Sequence, residues 1–152
     1  MSTPTLVRAP PVLYAGLATR AVGLAVDVAI AQLIVFFGGA VFALVASLVG
    51  GDLQFETLGR ILAAIAWAAV VGFYFVLFWS TAGRTPGMRL MGLRVVDASG
   101  AHPGVVRSFV RLIGLVLCII PLFAGFLTVL LDDRRRGMHD MLAGTVVVYV
   151  EK

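Results

Sequence analysis

Between Arg20 and Asp52 the chain carries one charge, the carboxylate of Asp27. A helix through this run places residues i and i+7 on one face, two turns apart, about 10 Å along the axis. Arg20 is then expected at a membrane surface and Asp27 well inside the hydrocarbon. A carboxylate near the bilayer centre costs roughly 2.5–3.5 kcal/mol on insertion scales. A partner, a water-filled cavity or a bound proton must offset that cost. Arg20 itself is too far along one helix for direct contact, so the remainder of the chain must supply the surroundings.

Composition agrees with a membrane setting. Of 152 residues, 61% are hydrophobic and 13% charged, with a mean hydropathy of +1.04, outside the soluble range. The length fits one domain, divided here into a tail over 1–19 and a membrane domain over 20–152. The N-terminal apolar run is longer than the core of a cleaved signal peptide and is expected to stay. Cys118 is the only cysteine, so no disulfide forms within the chain. His102 and His139 lie in separate polar segments with no paired-ligand spacing, so neither a metal nor a cofactor is expected. The net charge of +4 is not arranged as a basic face interleaved with aromatics, which argues against nucleic acid. No P-loop, GxGxxG, HExxH or CxxC pattern is present, and Ser80, Thr81 and Thr85 have no histidine nearby in sequence. The reading is non-enzymatic.

The expected order is a proline-containing tail (Pro4, Pro10, Pro11), a first span over 21–45, and a loop holding Asp52 and Glu56. A second span follows over 61–80. Residues 13–18 are expected to begin an interfacial helical turn. Ala21, Ala25 and Ala29 in one span, and Ala64, Ala68 and Gly72 in the other, make smooth stripes for helix packing. Thr85-Pro86-Gly87 predicts a helix start, with Thr85 as N-cap and Pro86 at N1. Gly92–Asp97 and Gly144–Val150 have strand composition. The apolar stretch 109–131 carries Arg111 near its start and Pro121 and Gly125 in its middle.

Lysine and arginine placement orients the chain. Three full crossings divide the 12 basic residues 7 to 5 between the two sides. A stretch that turns back at Pro121–Gly125 leaves all but Arg60 on the cytoplasmic side and brings the two strands to one face, where they can pair. The expected architecture is an all-α membrane protein with two transmembrane helices, a proline-broken re-entrant helical hairpin and a small cytoplasmic strand pair. The alternative is an ordinary kink in a third span. The location expected is the bacterial cytoplasmic membrane, with both termini cytoplasmic.

Arg20 and Asp27, Thr85-Pro86-Gly87-Met88 running into Gly92–Asp97, Arg111, and Arg136-x-x-His139-Asp140-x-x-x-Gly144-Thr145 closing the chain together resemble the RDD family of small, mostly bacterial membrane proteins. The resemblance covers about residues 14–150. It implies that Arg20 is the family arginine and Asp27 its intramembrane aspartate. Asp140 is taken as the second aspartate, with Asp97 the other candidate. Met88 departs from the pattern, since a basic residue commonly follows the Thr-Pro-Gly. The family resemblance further implies transport of undefined ligands, with cation/proton antiport in some members.

Two functions follow as expectations. The first is an ion-coupled carrier exchanging monovalent cations for protons through Asp27, with Arg20, Arg111, Asp140 and His139 as further ion-pathway candidates. Two spans and a hairpin enclose little, so a homo-oligomer would build the pathway. The second is an accessory or assembly subunit of a larger membrane complex, with Asp27 as a structural lock between span one and the hairpin. Arg111 is the expected partner of Asp27, the alternative being snorkelling to headgroups. Arg20 is expected as an interfacial anchor. Asp140 is expected to cap a turn and pair with Arg134–Arg136, or with His139 to form a gate or proton relay. Arg134, Arg135 and Arg136 are expected to anchor the chain to anionic lipid headgroups.

Overall fold

The structure is a computed structural model, and it describes residues 13–48, 57–119 and 124–150. Two long helices dominate, α1 (Leu17–Leu48) and α2 (Thr57–Ala82). Both are long and apolar enough to cross a membrane. They run antiparallel: Tyr74 of α2 reaches Asp27 of α1, and one turn and more further out the Trp67 indole donates to Gln32 at 2.7 Å. Each helix overruns the span expected from the sequence at both ends. The overrun places Arg20 inside the first turns of α1, on a face with Gly23, Asp27 and Ala31, all four buried. Residues 13–15 are extended and not helical: Tyr14 bridges to Val148, and the Ala15 amide donates to the Val147 carbonyl at 3.0 Å.

After α2 comes the five-residue helix α3 (Pro86–Leu90), capped as its sequence predicts. Thr85 is extended, its hydroxyl accepts from the Met88 amide, and Pro86 stands where no intrahelical donor is needed. Strand β1 (Leu93–Asp97) pairs antiparallel with β2 (Thr145–Tyr149), from Leu93 opposite Tyr149 to Asp97 opposite Thr145. The pairing expected from the valine-rich segments is therefore present. Between the strands lie α4 (Val105–Ile119), α5 (Ala124–Leu131) and α6 (Met138–Ala143). The third apolar stretch is thus two helices in contact with each other, α5 also touching α1. Pro121, the tail prolines, Asp52 and Glu56 lie outside the described residues.

Among the described residues the interior mixes apolar side chains with buried charged and polar ones, and much of the exposed surface is apolar. On α4 the residues Ser108, Arg111, Gly114 and Cys118 face inward, while Val106, Phe109, Ile113 and Val116 are exposed. Their spacing of three and four residues makes one helix face. A soluble amphipathic helix has the opposite polarity. The one charged side chain on the inward face of α4, Arg111, is turned toward the protein. The apolar core is correspondingly small: Phe75, Trp79, Leu93, Val95 and Val147 hold the sheet against the inner ends of α1 and α2. The outer ends of α1 and α2, beyond Ala31 and before Tyr74, contribute no buried residue among those described.

Candidate functional site

Two buried carboxylates hold this base together, and each is satisfied differently. Asp27 is 1% exposed. One of its oxygens accepts from the Tyr74 hydroxyl at 3.0 Å and from the Gly87 amide at 2.7 Å, and the other accepts from the Thr85 hydroxyl. The amide belongs to the first turn of α3, where backbone donors have no intrahelical partner. The Thr-Pro-Gly start therefore creates free donors, and the lone acid of α1 takes one of them. Glycine is required for this approach. A Cβ at Gly87 would lie 2.8 Å from Cγ of Asp27 and would collide with the Gly23 carbonyl.

Asp140 is fully buried in α6 and lies between two guanidiniums. Nη1 of Arg20 binds one carboxylate oxygen and Nη1 of Arg111 binds the other. The Gly137 amide adds a third donor at 3.0 Å, closing the first turn of α6. Arg111 also donates to the Thr145 hydroxyl at 2.9 Å, and its guanidinium lies 4.9 Å from the centre of the Trp79 ring. Arg20 donates from Nε to the Ala15 carbonyl at 3.1 Å. Gly144, left-handed at φ 63°, ends α6 and turns the chain directly into β2. Close packing of α4 on α6 rests on Gly114, where a Cβ would stand 2.8 Å from Cα of His139.

Burial pushes the Asp140 carboxyl upward, but Arg111, His139, Arg20 and the Gly137 amide outweigh it and hold the pKa below the ordinary value. His139 is pulled down to about 4, first by burial and against the attraction of Asp140, with the neighbouring arginines adding to the depression. At neutral pH its imidazole is uncharged. Arg20, Arg111, Asp27 and Asp140 balance in charge when both carboxylates are ionised.

Several expected partnerships are therefore corrected. Arg111 binds Asp140, not Asp27, because α4 packs chiefly on α6 while α1 packs on α3. Asp27 ties span one to span two and α3, not to the α4–α5 pair. Arg20 is buried and is not an interfacial anchor. Asp140 does cap a turn, but its arginines are Arg20 and Arg111. Arg136 instead binds Asp132 four residues earlier at 2.8 Å, and the Arg134 amide donates to the same carboxylate. Arg134 and Arg135 are exposed. Asp97 forms a local turn, accepting from Ser99 and Ala101 and pairing with Arg107 at 2.8 Å. Tyr74, Thr85, Gly87, Trp79 and Thr145 belong to the two centres and were not singled out as site residues from the sequence. The signal for Thr85 and Gly87 was present in the helix start, whose free amides require an acceptor. No cluster of three or more metal-ligating side chains occurs among the described residues.

Between the centres lies a cavity of about 30 Å³, bordered by Arg20, Asp27, Trp79, Arg111 and His139 together with apolar side chains.

Two apolar helices of spanning length, an inward-facing polar base and two buried carboxylates define a small multi-span membrane protein. The RDD family model matches residues 14–144, and the chain belongs to the RDD family. It is 35% identical over 78 residues to the uncharacterized protein YckC of Bacillus subtilis, covering 48% of this chain and 50% of that one. It is 30% identical over 113 residues to protein FAM8A1 of Homo sapiens, covering 64% and 27% respectively. Uncharacterized protein RP437 of Rickettsia prowazekii is 29% identical over 79 residues, covering 52% and 44%. The chain thus spans half or less of the length of these relatives. No solved structure matches.

Proposed function

We propose that this protein is a non-catalytic membrane subunit whose buried charges lock its spans in place for assembly with other membrane segments. The carrying observation is that Asp27 and Asp140 are each held by three donors of the same chain, drawn from different elements. A carboxylate that must exchange its ligand has to release such donors, whereas a lock keeps them. The outer halves of α1 and α2 leave an apolar groove of about 850 Å³, lined in part by Gly38, Gly39, Gly59 and Ala63. Such small residues suit the close approach of another apolar transmembrane helix.

This reading places the protein in a bacterial cytoplasmic membrane with both termini cytoplasmic, and treats α4–α5 as a re-entrant hairpin. The 15 and 8 residues of these helices reach about 22 and 12 Å, each short of a core of about 30 Å. Both α4 and α6 meet at Asp140, and the Thr128 hydroxyl of α5 donates to the Arg136 carbonyl at 3.1 Å. These contacts favour a return to the starting side.

A second reading, monovalent cation/proton exchange through Asp27, is favoured by the cavity that Asp27 shares with Arg20, Arg111 and His139. The two readings separate in proteoliposomes holding an internal pH dye, with Na⁺, K⁺ or Li⁺ added outside. Folded, inserted protein should show no cation-driven proton movement. Flux in the wild type that disappears in a folded Asp27→Asn variant would overturn the locking reading.

A further inference from the structure

The 30 Å³ cavity between the two carboxylate centres is bordered by Arg20, Trp79 and Arg111, which are 7%, 2% and 2% exposed. Each of these three side chains carries a buried N–H with no partner: Nη2 of Arg20, Nε1 of Trp79 and Nε of Arg111. Guanidinium and indole nitrogens only donate. A buried donor left unsatisfied is costly, and nearly all such groups in folded proteins find a protein or water partner. The three side chains that carry these donors border one cavity, and an acceptor placed there would satisfy them.

Volume and charge select the acceptor. The cavity exceeds the roughly 10–15 Å³ that one water needs, but an organic ligand would not fit. Arg20 and Arg111 at its border already share the carboxylate of Asp140, and Asp27 is the acid that borders the cavity itself, so an anion would be placed beside a carboxylate. Water adds no charge. Its oxygen can accept from two of the buried donors and it can return a hydrogen to the carboxylate of Asp27, which borders the same space. That gives it the two to four polar partners a buried water requires.

We infer that this cavity is an internal water site, bordered by Arg20, Arg111 and Trp79 and accepting from two of their N–H groups, that joins the Asp27 and Asp140 centres into one hydrogen-bonded network. The inference extends the locking reading by giving its two centres a shared ligand. Its test is independent of the flux test of that reading. Trp79 becomes a positioning residue of the network as well as a core side chain.

The two tryptophans of the chain make the experiment internally controlled. Trp67 donates its indole N–H to Gln32 within the span region, whereas Trp79 faces the cavity residues. The full chain, labelled with ¹⁵N in detergent micelles, would be examined by ¹⁵N-edited NOE and ROE spectroscopy, with Trp67→Phe assigning the two indole signals. The expected result is a cross-peak at the water frequency on the Trp79 indole proton and on Nε–H of Arg111. Its sign should be that of a long-lived bound water, and Trp67 should show no such peak. Absence of the peak at Trp79 overturns the inference. So does a Trp79 signal that shifts saturably with chloride but not with gluconate, which would assign the cavity to a halide.

Discussion

Asp27 and Asp140 are equally buried, yet one is held by neutral dipoles and the other by full charges. Two hydroxyls and a backbone amide surround Asp27. Two guanidiniums and an amide surround Asp140. The difference decides what each site tolerates. Hydroxyls can reverse and accept, so the Asp27 site can adapt to a neutral side chain. Guanidiniums cannot accept, so the Asp140 site cannot. The same substitution at both positions should therefore separate a hydrogen-bonded lock from an electrostatic one.

The largest effect is expected from Asp140→Asn. Its amide nitrogen would face a guanidinium, and two buried cations would lose their counter-charge. Breaking a buried pair in this way costs about 3–5 kcal/mol. Denaturant unfolding in mild detergent would measure it, and a loss below about 1 kcal/mol would show that the arginines find other partners. Replacing Arg111 by Met in the Asp140→Asn background should recover part of the loss, because one unpaired buried charge is removed.

Acid should weaken the same centre. The folded-state pKa of His139 is about 4, below its ordinary 6.5. A depressed group contributes stability that is complete above its unfolded pKa and is lost as pH falls through the folded one. Stability should therefore decline from about pH 6.5 to about pH 4, by up to about 3 kcal/mol. Asp140, also depressed, adds its own loss only below its ordinary carboxylate range. His139→Gln should flatten the slope between pH 6.5 and 4. An unchanged slope would assign the titration to another group.

At the neutral centre the effects are smaller. A Cβ at Gly87 must push either Asp27 or the Gly23 backbone, so Gly87→Ala is expected to cost about 1–3 kcal/mol. Asp27→Asn keeps a carbonyl for the Gly87 amide and asks one hydroxyl to turn round, at a cost of about 1 kcal/mol. If Asp27→Asn proved as damaging as Asp140→Asn, Asp27 would be acting through its charge, and the neutral-dipole account of its site would fail.

The contrast also explains what the sequence could show. Spans, the α3 cap and both strands are set by neighbours: apolar runs, Thr85 before Pro86, and valines bounded by glycine. They were legible, to within a few residues at the ends. The partners of Arg20 and Arg111 were not. They join residues 120 and 29 positions apart, and no periodicity encodes which of the two buried acids an arginine meets. Pairing Arg111 with Asp27 requires the third stretch to pack that arginine against span one, whereas α4 packs chiefly on α6. The helix–helix contact that decides the matter depends on Gly114, a residue whose only signal is the absence of a side chain. The inverted polarity of α4 was hidden in the same way, since a polar stripe on an apolar helix does not reveal which side faces protein.

The smallest effect is expected at a third carboxylate, and the reason sharpens the comparison. Asp97 is as rich in hydrogen bonds as Asp27, accepting from the Ser99 amide and hydroxyl, the Ala101 amide and Arg107. Its pKa is lowered, chiefly by the Ser99 hydrogen bonds. Yet those partners lie only 2 to 10 positions away, against 47 to 60 for Asp27. Losing them loosens a turn and separates no elements, and the Arg107 pair is partly exposed and screened. Asp97→Asn should leave the unfolding midpoint within error while speeding amide exchange at Ser99 and Ala101. A midpoint shift comparable to that of Asp27→Asn would mean that hydrogen-bond number matters here more than what the bonds connect.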